Sequence, residues 1–144
     1  MDAFPHRYVV GTTGRPTGEV TLHADGLATL PSASPAEFDG PGDLWSPETL
    51  LVGAIGDCLI LTFGAVARAS GLPWTSLECD VTGTLDRVEK VTRFTAFEIR
   101  ARLVVPTGTD PERATRLLEK SERACLITNS LNAAVTLVPT IEVG

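Results

Sequence analysis

The sequence has no Cys-x-x-Cys pair, no run of lysines and arginines, no glycine loop followed by Lys-Ser or Lys-Thr, and no internal repeat. Each absence removes a class of function. Cys58, Cys79 and Cys125 are an odd number of thiols without zinc spacing, so neither a disulfide scaffold nor a metal site is expected. Free thiols in a reducing compartment follow. The 12 Lys and Arg residues are scattered among 18 Asp and Glu, for a net charge of −6, which leaves no footprint for a phosphate backbone. Nucleic acid is therefore not an expected partner. The segment "GTTGRPTG" lacks the residues that complete a phosphate-binding loop, and His6 and His23 are not spaced as a ligand pair. No nucleotide or other cofactor is expected. The opening "MDAFPHRYVVG" has no basic segment leading into an apolar one, so the expected location is the cytoplasm.

What is present is enough for one core: 144 residues, 43% of them apolar, predict a single domain over 1–144. The first third reads as strands broken by turns, "HRYVVGTT", "GEVTLHAD" and "GLATLP", hence an N-terminal antiparallel meander. A loop rich in Pro, Gly, Ser and Asp runs from Pro31 to Pro47. Ser46 then offers an N-cap, Pro47 a preset first turn and Glu48 a favourable charge at the positive helix end, so a helix is predicted from there towards Gly71-Leu72-Pro73. Its apolar run, Leu50 to Ala67, is long enough to cross a membrane but carries Asp57 at its centre. A core helix is the expectation, with no membrane partner.

After Pro73, "SLECDVTGTL" and "TAFEIRARLVV" alternate with period two, the second placing Phe97, Ile99, Ala101 and Leu103 inward and Glu98, Arg100 and Arg102 outward. Asp110 and Pro111 open a second helix whose apolar face includes Ala114, Leu117, Leu118, Ser121, Ala124 and Cys125. The chain closes on "VTLVPTIEV", where Pro139 suits an edge or a bulge. The order β-β-β-α-β-β-α-β is that of an α+β domain. A first helix apolar on every side needs cover on every side, which predicts a homodimer.

Cys58 lies about three turns into that helix, beyond the reach of the terminal dipole, so any charge that activates it comes from another element. Taken alone it reads as a small buried hydrophobe. Cys125 adds a second possibility: two thiols with 66 residues between them, each on an apolar helix face, can act as attacking and resolving groups if the core brings them together. Cys79, between Leu77 and Val81 on a strand face, is given no role. Asp57 is expected to be a buried acid paired with an arginine across the interface.

The stretches "SPETLLVGAIGDCLILTFGAVARASGL" and "ACLITNSLNAAVTLVPTIEV" resemble the OsmC/Ohr family of thiol-dependent peroxidases, and the resemblance covers most of the chain. It implies an OsmC-like fold, antiparallel sheets around long central helices in an intertwined homodimer. It also implies that Cys58 attacks an organic hydroperoxide and Cys125 resolves the product as a disulfide, which an external dithiol then reduces. Leu126 stands where the family often has Pro. By the same resemblance Arg15 lowers the pKa of Cys58 and orients the peroxide, and Glu48 holds Arg15. Glu48 and Cys58 are ten residues apart in one helix, about 15 Å along the axis, so one site using both needs partner chains. Leu51, Leu61 and Phe63 are expected to line the site, in favour of organic peroxides. Two other readings stay open: a hotdog-like thioesterase using Asp57 or Glu48, and a non-catalytic dimer holding a small apolar ligand with its cysteines as packing.

Overall fold

A computed structural model describes all residues, Met1–Gly144, and its contacts divide them into two compact units, Met1–Leu50 and Leu51–Gly144. In the first unit the expected meander forms from short strands: β1 (Gly11–Thr13), β2 (Val20–His23) and β3 (Leu30–Ser32), all antiparallel. Residues 6–10, expected to extend the first strand, lie outside it. Pairing of β1 begins at Gly11 opposite His23, the last residue of β2, so the preceding residues have no strand beside them. Tyr8 and Val9 are left almost fully exposed.

The N-terminus of α1 (Pro47–Ser70) is capped as the sequence predicts. The Thr49 amide donates to Ser46 Oγ at 3.1 Å and the Ser46 amide donates to Thr49 Oγ1 at 2.8 Å, a reciprocal cap that satisfies two backbone donors. Ser46 is buried by this arrangement.

The second unit holds a three-stranded sheet with β5 (Val91–Val105) in the middle, β4 (Ser76–Val88) on one side and β6 (Ala134–Val143) on the other. The β4–β5 pair is antiparallel, whereas β5 and β6 run parallel. A sheet described as antiparallel throughout therefore needs amending at this pair. Two helices, α2 (Pro111–Ala124) and α3 (Leu126–Asn129), carry the chain back between those strands, and that crossover lets the last strand run in the same direction as β5. Asp110 caps α2 by accepting from the Glu112 amide at 3.0 Å, with Pro111 in the first turn. Pro139 lies on edge strand β6 opposite Ala101, where a missing donor is tolerated.

One face of this sheet carries the core. Ile55 and Leu59 of α1 pack with Phe97 and Ile99, and Phe63 and Ala67 pack with Leu77, Ala101, Leu103, Ala114 and Leu118. Gly83 on β4 permits this approach, because a Cβ there would lie 2.9 Å from both Val52 of α1 and Phe94. The buried positions of α1 form a single stripe, Ile55, Gly56, Leu59, Phe63 and Ala67. Leu51, Val52 and Ile60 are half-buried against the core, whereas Leu61 stays open at 70% exposure. By length and composition alone α1 would be long enough to cross a membrane. The opposite sheet face is polar, with Arg102 bridging Glu78 at 3.2 Å and Glu142 at 2.8 Å.

The β4–β5 hairpin turns on Glu89 and Lys90, at φ 51° and 67°. Left-handed backbone at non-glycine residues costs about 1 kcal/mol each, and Asn-Gly is the pair best suited to such a turn. Replacing Glu89-Lys90 by Asn-Gly is expected to raise the thermal midpoint by a few degrees with no change in the circular-dichroism spectrum, measured by thermal melting.

Candidate functional site

The rotation that buries Leu59 turns its neighbour Cys58 sideways, half-buried, into an open groove of about 500 Å³ in the second unit. Asp57, Leu61 and Thr62 of α1 form one wall, and Leu126 and Ile127 of α3 the other. Beneath Leu126 lies Cys125, buried, ending α2 and preceding α3. The two cysteines are close enough across this junction for each to shift the other's pKa. The structure thus brings together the two thiols that sequence placed on separate helices.

Their surroundings push them in opposite directions. Burial raises the pKa of Cys58, but donors outweigh it: the Ile127 backbone N–H, the Cys125 thiol, the Thr62 hydroxyl and the Leu126 backbone N–H hold it below the ordinary value of 9.0. Thr62 Oγ1 lies 3.8 Å from the sulfur, one turn further along α1. For Cys125, burial is the largest effect and raises the pKa. The Thr128 backbone and hydroxyl work against that, while the nearby Cys58 sulfur adds to the rise. One sulfur is prepared to carry charge and its neighbour to keep its proton. Cys79 faces α1 from β4, and burial together with the Asp80 carboxylate pushes it up to about 11. It stands outside the pair.

The other expected residues are placed differently. Arg15 is exposed in the β1–β2 connection and makes no ion pair. Glu48, in the first turn of α1, has its Oε1 buried without a hydrogen-bond partner. Although both belong to the first unit, Arg15 and Glu48 are not joined to each other within the chain. Within the single chain Asp57 is exposed at the groove lip and makes no ion pair, because the buried stripe of α1 faces away from it; the pairing expected across an interface involves a second copy.

The expected lining of Leu51, Leu61 and Phe63 is correct only for Leu61. Phe63 is fully buried in the core, because five residues from Cys58 bring it to another side of the helix, and Leu51, two turns before Cys58, is half-buried against the core around Ile55 and Leu59. Leu126 and Ile127 line the groove instead. Thr62 was missed, although its i+4 spacing from Cys58 in "CLILT" marks it as a helical neighbour. The amides of Leu126 and Ile127 carry no sequence signal, because every residue but proline has one.

Comparison with known proteins follows the same lines. The sequence profile of OsmC-like proteins matches residues 40–139, and the chain belongs to the OsmC-like family. It is similar to the uncharacterized protein YmaD of Bacillus subtilis, with 29% identity over 120 residues covering 81% of this chain and 79% of that one. It is similar also to the peroxiredoxin OsmC of Escherichia coli, with 24% identity over 127 residues covering 88% and 87%. The solved structure of an OsmC-like protein from Vibrio cholerae superposes with a TM-score of 0.87 at 17% identity, over 94% of this chain and 100% of that one. An α+β fold of the OsmC type is thereby established, and it does not match one sheet wrapped around one helix.

The geometry predicts how Cys58 titrates. Its alkylation rate should rise with pH about a midpoint below 9.0, and Thr62→Val, which removes an O–H donor to the thiolate, should move that midpoint upward. Iodoacetamide kinetics on Cys58-containing peptides measure both, and equal midpoints in the two proteins would contradict the role of Thr62.

Proposed function

We propose that the protein is a cysteine-based peroxidase that reduces organic hydroperoxides in oxidative stress defence. The observation that carries this reading is the pairing of Cys58, which opens onto an apolar groove, with Cys125, buried beside it. Cys58 is reachable from the groove while Cys125 is buried beside it, which suits one sulfur to meet a peroxide and the other to meet the product.

The chemistry follows from the pair. The Cys58 thiolate attacks the distal oxygen of the hydroperoxide, the O–O bond breaks, and the alkoxide takes a proton and leaves as the alcohol. Cys58 is now a sulfenic acid. The Cys125 sulfur attacks the Cys58 sulfur, the S–O bond breaks and water leaves, so the two electrons given to the peroxide end as one disulfide. An external dithiol restores both thiols by exchange. Because the attacking thiolate is best near ambient pH, a moderate lowering for Cys58 serves nucleophilicity better than an extreme one.

Arg15 and Glu48 complete the proposal. A desolvated carboxylate oxygen with no donor is costly, and a guanidinium satisfies it with a charge-assisted bond, so the orphaned Glu48 oxygen supports a role in holding Arg15. Arg15 in turn orients the peroxide oxygens and stabilises the thiolate. The open apolar side of α1 supports an intertwined homodimer, in which a second copy supplies the cover that this chain leaves off.

Reduced protein mixed with cumene hydroperoxide, with peroxide loss and disulfides followed by mass spectrometry, tests the reading. Wild type should consume peroxide and form a Cys58–Cys125 disulfide; Cys58→Ser should abolish consumption. Cys125→Ser should allow one turnover and then stop at a Cys58 sulfenic acid that a dimedone probe captures. Oxidation of Cys58 no faster than that of a free thiol would refute the peroxidase and favour an apolar-ligand binder.

A further inference from the structure

The C-terminal end of α1 is closed by its own backbone. The Leu72 amide donates to the Ala67 carbonyl at 3.0 Å and the Gly71 amide to the Arg68 carbonyl at 3.3 Å, with Gly71 at φ 67°, which glycine adopts without strain. That motif leaves the Ser70 carbonyl over, and α2 takes it: Nη2 of the half-buried Arg113 donates to the Ser70 oxygen. A cation at the negative end of a helix is favourable, but this helix is already capped, so what the bond adds is a connection between elements. It is the one hydrogen bond that joins α1 to α2. Elsewhere the two helices meet through apolar side chains, Phe63 and Ala67 with Ala114 and Leu118. Such contacts are non-directional and resist sliding weakly, whereas a charged donor on a carbonyl fixes a position.

The bond lies at one end of both helices and the thiols lie at the other, where Cys58 shares its groove with Leu126 and Ile127, the residues that follow Cys125. Ser70 follows Cys58 by twelve residues and Cys125 follows Arg113 by twelve, about 18 Å along each axis. The helices therefore run in opposite senses with matched arms, and because a helix is stiff along its axis, a slip at Arg113 reappears at Cys125. We propose that Arg113 is a positioning residue for the thiol pair: it locks the axial register of α2 against α1 and so holds Cys125 within reach of the Cys58 sulfur. In the peroxidase reading, on which this half of the assignment rests, the step it serves is disulfide closure, where the Cys125 sulfur displaces water from the Cys58 sulfenic acid. The register itself belongs to the two thiols, whatever oxidises them. A misplacement of about 1 Å is enough to slow an intramolecular attack strongly, so a residue remote from the sulfurs controls the step without touching them.

Thiol–disulfide exchange with glutathione tests it without any peroxide. Oxidised glutathione takes up two electrons and two protons as the pair closes to a disulfide, so the equilibrium, quenched in acid and mapped by mass spectrometry, reads how well Cys125 is presented to Cys58. Arg113→Met keeps the apolar stem and loses every donor; it is expected to lower the equilibrium constant about tenfold, equivalent to about 30 mV. Arg113→Gln, shorter than the arginine, should show the same loss, and Arg113→Lys, which retains a cationic donor, should recover most of it. Arg102→Met, which loses two ion pairs on the outer sheet face, should leave the equilibrium in place. With cumene hydroperoxide, Arg113→Met should slow disulfide closure more than peroxide attack, so that dimedone captures more Cys58 sulfenic acid than in wild type. Equal equilibria in wild type, Arg113→Met and Arg113→Gln would overturn the proposal. An Arg113→Lys protein as impaired as Arg113→Met would overturn it too, and would assign the side chain to packing. An equilibrium that shifts in Arg113→Met while wild type consumes no peroxide would uphold the register and overturn the peroxidase reading.

Discussion

Burial of Ile55, Leu59 and Phe63 against β4 and β5 fixes the rotation of α1 about its axis, and each such side chain contributes about 1.5–3 kcal/mol to holding it there. With Leu59 inward, Cys58 can only stand at the border between core and solvent. Thr62 falls one turn along on the same side, Leu61 and Asp57 further out. Turning the helix by one residue would bury the carboxylate and expose the core leucine, so the register of apolar residues protects the position of the thiol. The close approach over Gly83 is part of the same constraint, since a Cβ there would lie 2.9 Å from the Val52 side chain of α1 and crowd the contact.

The second half of the site comes from the way α2 ends. Cys125 is the hinge residue between α2 and α3, with its amide donating to the Glu122 carbonyl and its carbonyl accepting from Asn129. That break lets the chain turn so that the amides of Leu126 and Ile127 face Cys58, while Cys125 itself remains buried beneath them. Backbone donors are well suited to this task. They are held by the fold, cannot be titrated, and stabilise the thiolate without forming a second charge that burial would penalise. Residue 126 as leucine keeps an amide N–H that a proline there would lack, so the departure from the common family pattern adds a donor to the sulfur's surroundings.

The features this chain leaves unsatisfied are of two kinds. One is apolar: the outer side of α1 and the N-terminal stretch around Tyr8 and Val9 are open. The other is polar: a buried Glu48 oxygen has no donor and Arg15 has no acceptor. Both kinds lie where the proposed second copy would meet this chain. The surface ion pairs of the outer sheet face, by contrast, are exposed and self-contained, and such pairs contribute little to stability.

Local signals determined much of the architecture. Ser46-Pro47-Glu48 and Asp110-Pro111 started the two main helices because capping depends on neighbours within a few residues, and the alternation through Phe97 to Leu103 declared which face of β5 is inward. The same period placed Cys58 and Cys125 near the core and Cys79 on a strand face. Pairing was another matter. That β6 lies parallel to β5, that residues 6–10 have no strand beside them, and that Phe63 faces the core instead of the groove all depend on what lies across space. So does the difference between the two sulfurs. A thiol's charge is governed by the donors within a few ångströms of it, and here three of the four, Cys125 and the amides of Leu126 and Ile127, come from more than 60 residues away along the chain. Sequence determined which side chains could do chemistry; the packing of α1 against the sheet and the break after α2 decided that Cys58 would carry the charge.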